Sequence, residues 1–204
     1  NFGDSSRRLI TQIRRKLDGV LVNLQCPSSA IAGVSFACDI VLSGSSALPG
    51  KEFESAFSVE IFSRGIESVQ KGTTTFLQDG QFRISATVLR QGSTQVRLLF
   101  LDKPILSSPS RIVEISHRLP SLRKSNVVCD QSVILRVDET FFCTVTLSDE
   151  FGNVRGTAME SSTVRLDATY SRGNVQRWSA AKFGSVGTYF VPITPESAGA
   201  VTIR

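Results

Sequence analysis

The 204-residue chain is poor in the residues that most often carry chemistry: it has one histidine, one tryptophan, one methionine and two tyrosines. His117 is the single imidazole, and no serine or cysteine stands near it in a nucleophile context, so a histidine-based triad has nothing to assemble from. It reads as an exposed or capping residue after a strand. No phosphate loop, carboxylate dyad or zinc-protease motif occurs. The four cysteines lack the two-to-four spacing of a zinc knuckle. Asp149, Glu150 and Asn153 hint at a cation loop, but the D-x-D-x-D-G pattern is missing. Gly152-Asn153 reads instead as a left-handed turn. No apolar run approaches the roughly 18 residues of a membrane span, and no Asn-x-Ser/Thr sequon is present. These absences exclude most catalytic classes and imply no metal or cofactor.

What is present is ordinary for a folded soluble domain: 41% hydrophobic and 20% charged residues. The length has room for two domains of about 100 residues. The net charge of +5 collects in residues 7–16 and 111–124. Aromatic residues are not interleaved with those runs, as a platform for stacking bases requires, so nucleic acid is not an expected partner. The opening at Asn1 and the missing leader read as those of a segment of something longer.

A repeat organises the chain. "LVNLQC", then "AGVSFACDIVLSG", is matched by "SNVVC", then "VDETFFCTVTLSD". Cys26 and Cys129 lie 103 residues apart, and Cys38 and Cys143 lie 105 apart. Two cysteines in matched settings, twice, mark an internal repeat of about 100 residues. The offset reaches backwards: Leu9 and Ile112 each sit 17 residues before their cysteine. Residues 8–13 therefore read as the last strand of a preceding repeat. A basic amphipathic helix over 6–16, with Leu9, Ile10, Ile13 and Leu17 on one face, is the competing reading.

Between these marks the chain reads as strand and turn. Residues 36–42 alternate Phe, Cys, Ile and Leu, and Phe57, Val59 and Ile61 alternate in the same way before a break at Arg64-Gly65. "QFRISATVL", "TQVRLLFLD" and "PSRIVEI" follow, separated by Asp79-Gly80 and Gln91-Gly92, which read as turn chemistry. The second unit offers "FFCTVTLSD", "STVRLDATY", "QRWSAAKF", "GTYFVPIT" and "AVTIR". Within it, Pro192 is tolerable only at an edge or a bulge. Short strands with turns every 10 or so residues predict an antiparallel sandwich. No partner for "RIVEI" appears in the second unit, which predicts that a continuing chain or a neighbour supplies that strand. The predicted divisions are 1–17 (preceding strand or linker helix), 18–117 and 118–204, with a short linker stiffened by Pro120 that limits the angle between repeats.

These residues resemble the filamin-type immunoglobulin-like repeat. "VTLSDEFGNVRG" (145–156) is similar to that family's strand B and D-x-x-G-N loop, and "VGTYFVPITPESAGAVTIR" (186–204) to its strand E, turn and strand F. "DGQFRISATVLRQGSTQVRLLF" occupies the same place in the first unit, and "DKPILSSPSRIVEI" is similar to the family's I-x-x-S-P-x ending on strand G. The first unit departs from the pattern, with "SGSSALPGKEF" where D-x-x-G-N would stand. The strand A–strand B cysteine pair is also not shared by typical members. The resemblance implies tandem all-β sandwiches of filamin type that act as spacers and docking sites. It does not imply actin cross-linking, because no calponin-homology segment is present.

Cys26 with Cys38, and Cys129 with Cys143, sit where neighbouring strands can bring them within disulfide distance, which implies an oxidising compartment; four small buried free thiols are the alternative. Members of the family accept a partner's strand between strands C and D, a case of β-augmentation. The matching surfaces here are 57–62 with 66–70 and 163–170 with 175–180, represented by Phe57, Val59, Ile61, Ile66, Val164, Leu166, Ala168 and Trp178. Trp178 reads as a core or seam residue on strand D. Three functions fit. The first is an exported or cell-surface adhesion module that binds a protein partner and adjoining repeats; such repeats also occur in plant gamete-surface proteins. The second is an intracellular cytoskeletal or ciliary scaffold with reduced thiols, and the third is a lectin-like ligand-binding sandwich.

Overall fold

Strands make up nearly all the regular structure of the computed structural model, which describes residues 20–44, 48–63, 66–68, 72–105, 108, 110–129, 137–170, 175–178, 181–197 and 199–203. Residues 1–17, and with them the strand-or-helix question at 6–16, lie outside the described residues. The chain divides after Ser116 into unit 1 and, from His117, unit 2.

Unit 1 contains β1 (Leu21–Gln25), β2 (Ser29–Ile31), β3 (Ser35–Ser43), β4 (Phe57–Ser63), β5 (Ile66–Ser68), β6 (Thr73–Gln78), β7 (Gln81–Thr87), β8 (Gly92–Phe100), β9 (Lys103–Pro104) and β10 (Arg111–Ser116). One sheet has the order β1-β3-β7-β6, and the other β2-β10-β8-β4-β5 with β9 on β8. Side chains alternate across a strand, and here the inward set is apolar. Cys38 and Ile40 of β3, Val59 of β4, Phe82 and Ile84 of β7, Val96 of β8 and Val113 of β10 are all buried. Phe57 joins the two layers, its ring 4.8 Å from that of Phe82 and 5.2 Å from that of Phe100. Tilted aromatic contacts of this kind add to area burial.

Asp79-Gly80 makes the two-residue hairpin between β6 and β7, with Gln78 opposite Gln81. Gly80 takes φ +76°, as such turns require. It does more than turn the chain. Its amide donates to the Pro49 carbonyl at 2.9 Å, and a Cβ there would lie 2.7 Å from Leu48 Cδ1. Residues 51–56, where unit 1 departs from the D-x-x-G-N pattern, form a short 3-10 helix that buries Phe53.

Unit 2 contains β11 (Asn126–Cys129), β12 (Phe141–Thr146), β13 (Leu166–Tyr170), β14 (Val175–Trp178), β15 (Lys182–Ser185), β16 (Thr188–Ile193) and β17 (Val201–Ile203). Its sheets run β11-β12-β16-β15 and β14-β13-β17. Cys143, Val145, Val164, Leu166, Ala181, Tyr189, Val191 and Ile193 form the core. Pro192 sits opposite Phe142, while on its other side the pairing of β15 reaches only to Phe190. Its missing N–H therefore interrupts no ladder there. Two antiparallel-sheet sandwiches in succession form tandem immunoglobulin-like units, the fold class expected from the strand pattern.

Residues 66–68 and 175–178 pair directly with the strands read as C: β5 with β4, and β14 with β13. The links of two and four residues between them are too short for a crossing between sheets, so each strand folds back on its neighbour. The fourth strand of the first sheet is β6 in unit 1 and β15 in unit 2. Neither "TTTFLQ" nor the three-residue β2 stands out by alternation.

Candidate functional site

Each unit closes strand A onto strand B through sulfur. Cys129 lies directly opposite Cys143 in the β11–β12 register, and Cys26 follows Gln25, the residue opposite Asp39. The two disulfides are Cys26–Cys38 and Cys129–Cys143, with Cα atoms 4.3 and 4.1 Å apart. Both form because the register brings facing side chains together on the inner side of the first sheet, where Cys38 and Cys143 are buried.

The predicted docking residues fall mostly in the core. Phe57, Val59, Ile61, Val164, Leu166 and Ala168 are all buried, since they are the inward half of an alternating pattern. They form the floor of the sandwich, and of the six only Phe57 also borders a cleft. Only the backbone of Ile66 and Trp178 is described: Ile66 pairs with Ser63, and Trp178 with Leu166. The outer edge of β4 is paired from Ile61 to Ser63 by β5. Further along, Thr74 Oγ1 donates to the Phe57 carbonyl at 2.7 Å. A cleft of about 560 Å3 opens beside it, between the 3-10 helix and the starts of β4 and β6, lined by Lys51, Glu54, Ser58 and Gly72 among others.

In unit 2 the turn after β12 is a closed hydrogen-bond device. Asp149 is fully buried and accepts from the amides of Phe151, Asn153 and Arg118 at 2.9, 2.9 and 3.1 Å, and from Asn153 Nδ2 at 2.9 Å. Burial pushes its carboxyl pKa up, but the hydrogen bonds from the Asn153 side chain and the three amides outweigh it and hold the pKa below the ordinary value. Gly152 takes the left-handed conformation that the sequence predicts, φ +81°. With its acceptor sites filled by protein donors, Asp149 has little left for a cation. Among the described residues there is no group of three or more metal-ligating side chains. His117 is half-buried rather than exposed, and its Nδ1 has no partner among the described residues.

Sequence reasoning missed a contrast between the outer faces of the first sheets. In unit 1 the centre of that face holds Asp39 opposite Arg83, joined by hydrogen bonds of 2.7 and 3.1 Å. In unit 2 the same positions hold Thr144 opposite Phe190, with Phe142 opposite Pro192 beside them. Phe142 is 49% exposed, Phe190 40% and Val128 56%. The Phe190 ring lies over Gly184, where a Cβ would come within 2.4 Å of Cε2. The register shared by the cysteine repeats was the signal that could have exposed this difference.

No protein-family model matches the chain, and no curated protein matches it. Solved structures do. The Escherichia coli adhesin FdeC is 19% identical over 91% of this chain, with a TM-score of 0.51. Invasin, a bacterial integrin-binding protein, is 16% identical over 91%, with a TM-score of 0.50. The chain spans 58% of the first structure and 36% of the second. The Lin-41 filamin domain aligns with 44% of this chain and 83% of its own length at 20% identity, but its TM-score of 0.35 is too low to establish the filamin type. These likenesses show the fold alone, the immunoglobulin-like β-sandwich.

Proposed function

We propose that the chain is a non-catalytic structural and adhesion segment of a longer exported or cell-surface protein. In this reading its repeats, 18–117 and 118–204, serve as spacers and as a docking surface for a protein partner. The observation that carries the reading is the disulfide at one and the same strand A–strand B position in both units, since bridges of this kind persist in oxidising compartments. Adhesion is taken over from proteins of like fold, an adhesin and an integrin-binding protein. The Asp149–Asn153 turn is in keeping with the filamin-type repeat as the closer kin.

The docking surface is the outer face of β11, β12 and β16 in unit 2, where Val128, Phe142 and Phe190 expose apolar side chains beside Pro192. Solvated aromatics of this kind are the usual anchors of protein interfaces. Strand addition is the second mode of docking. The position for it is the outer edge of β14, whose sole strand partner among the described residues is β13.

Thiol alkylation of the protein taken from its native source, with and without reduction, tests the reading. Cysteines that react only after reduction, with Cys26 mapped to Cys38 and Cys129 to Cys143, support the exported module. Four thiols that alkylate in the unfolded, unreduced chain would transfer the reading to an intracellular scaffold.

A further inference from the structure

We propose that unit 1 bears tension between its two ends, and that the Cys26–Cys38 disulfide sets the path the load takes. The inference does not depend on the docking surface, because it rests on how the first and last described strands of the unit are tied together.

The first strand of unit 1 among the described residues is β1, which pairs with β3 over five residues. At Cys26 the chain reaches the disulfide, and directly afterwards it leaves the first sheet. As β2 it joins the second sheet and runs parallel to β10, the strand by which the chain leaves: Ser29, Ala30 and Ile31 lie opposite Glu114, Ile115 and Ser116. The Glu114 amide donates to the Ser28 carbonyl at 2.9 Å, and the Ala32 amide to the Ser116 carbonyl at 2.8 Å. Ser116 Oγ adds a bond to the Ala30 carbonyl at 3.2 Å. At the head of β10, Arg111 reaches across to β1, donating from Nε to the Leu24 carbonyl at 2.6 Å and from Nη2 to Asn23 Oδ1 at 3.1 Å.

Parallel strands pulled from opposite ends slide along their common axis, so their evenly spaced bonds are strained together and must fail together. Hairpins pulled at one end open one bond at a time. The β2–β10 pair is therefore a shear clamp between the incoming and outgoing chain. The disulfide stands before it. While Cys26 is bonded to Cys38, tension passes through sulfur into β3, which is held between β1 and β7. The chain between the two cysteines, which includes β2, is then unloaded and continues to grip β10. With the disulfide open, stripping β1 delivers the load straight to the three-residue clamp. The Arg111 bridge resists that stripping, because it holds β1 to the strand pulled the other way.

Force-clamp pulling on the whole chain by its two ends tests this. The Cys129→Ser/Cys143→Ser form identifies unit 1 by its remaining bridge. Unit 1 with its disulfide should extend about 40 Å less on unfolding than after reduction, given the sequence separation of 12 at ~3.5 Å per residue. Reducing the folded chain with a phosphine should raise its unfolding rate at fixed force about tenfold or more. Arg111→Ala should raise that rate severalfold with the disulfide intact, and more under force than in denaturant without force. A reduced unit 1 that unfolds under force as slowly as the oxidised one would overturn the proposal. So would an Arg111→Ala effect that is equal with and without force, because ordinary stabilisation has no pulling direction.

Discussion

A Cβ placed on Gly156 would lie 2.2 Å from the Tyr189 hydroxyl. Gly156 takes φ +132°, and the space it leaves lets fully buried Tyr189 donate to the Thr157 carbonyl at 3.0 Å. Glu160 accepts the Thr157 amide at 2.7 Å, pairs with Arg155 and lies 3.4 Å from the same hydroxyl. The turn after strand B is thus locked onto strand E. Gly156→Ala combines backbone strain with a clash and should destabilise unit 2 by about 2–4 kcal/mol. Tyr189→Phe removes one hydrogen bond and should cost about 1 kcal/mol. Denaturant midpoints at unchanged slope check both.

Asp149 makes unit 2 sensitive to acid. Its carboxyl pKa is held below the unfolded value near 3.8, so its contribution is complete above that value and disappears as pH falls through the native pKa. Stability should show no Asp149-dependent change from pH 8 to about 5 and fall below about 4. Asp149→Asn should cost about 1–3 kcal/mol at pH 7 by leaving buried amides poorly matched. It should also flatten the acid limb of a melting-temperature profile. A variant with the wild-type acid limb would place that sensitivity elsewhere.

Opening either disulfide frees a loop of 12 or 14 residues in the unfolded chain. The double serine variants, Cys26→Ser/Cys38→Ser and Cys129→Ser/Cys143→Ser, should each lose about 3 kcal/mol in the loop-entropy account. Calorimetry with the two units resolved reads the loss in one unit at a time.

Phe142 and Phe190 offer a separation of stability from binding. Both are about half exposed, so Phe142→Ser/Phe190→Ser should cost unit 2 only about 1–2 kcal/mol and leave it folded. Beads coated with that variant should lose most of their attachment to target cells relative to the unchanged chain. Equal attachment at equal loading would remove the face as the docking surface. Asp39→Ala on the matching face of unit 1 should leave attachment as it was. Its ion pair with Arg83 is largely solvated and contributes little to folding.

Much of this was legible in the residues themselves. The alternation of Phe36, Cys38, Ile40 and Leu42 fixes their common face without any knowledge of a partner, and all four are buried. The repeat of cysteine settings revealed two units of one kind. The left-handed turn at Gly152 followed from its neighbours. Less legible were short or polar strands: Thr73–Gln78 is a full strand with little buried surface, and Ser29–Ile31 is held by β10 and not by its own pattern. Which sheet each short strand joins was not legible either, because alternation is identical whichever sheet a strand enters.

By itself the sequence determined the all-β class, the two-unit repeat, the inward face of each long strand and the pairing of cysteine settings. All of these depend on a residue's own chemistry or on a period of two along one strand. Only the tertiary structure decided which sheet each short strand joins, that β2 runs parallel to β10, and that Arg111 reaches Leu24, 87 residues away in the chain. The same level decided that Asp39–Arg83 in one unit becomes Thr144–Phe190 in the other. Hydrogen-bond partners and the outer face of a sheet are properties of two strands at once, and no single strand carries the record of its neighbour.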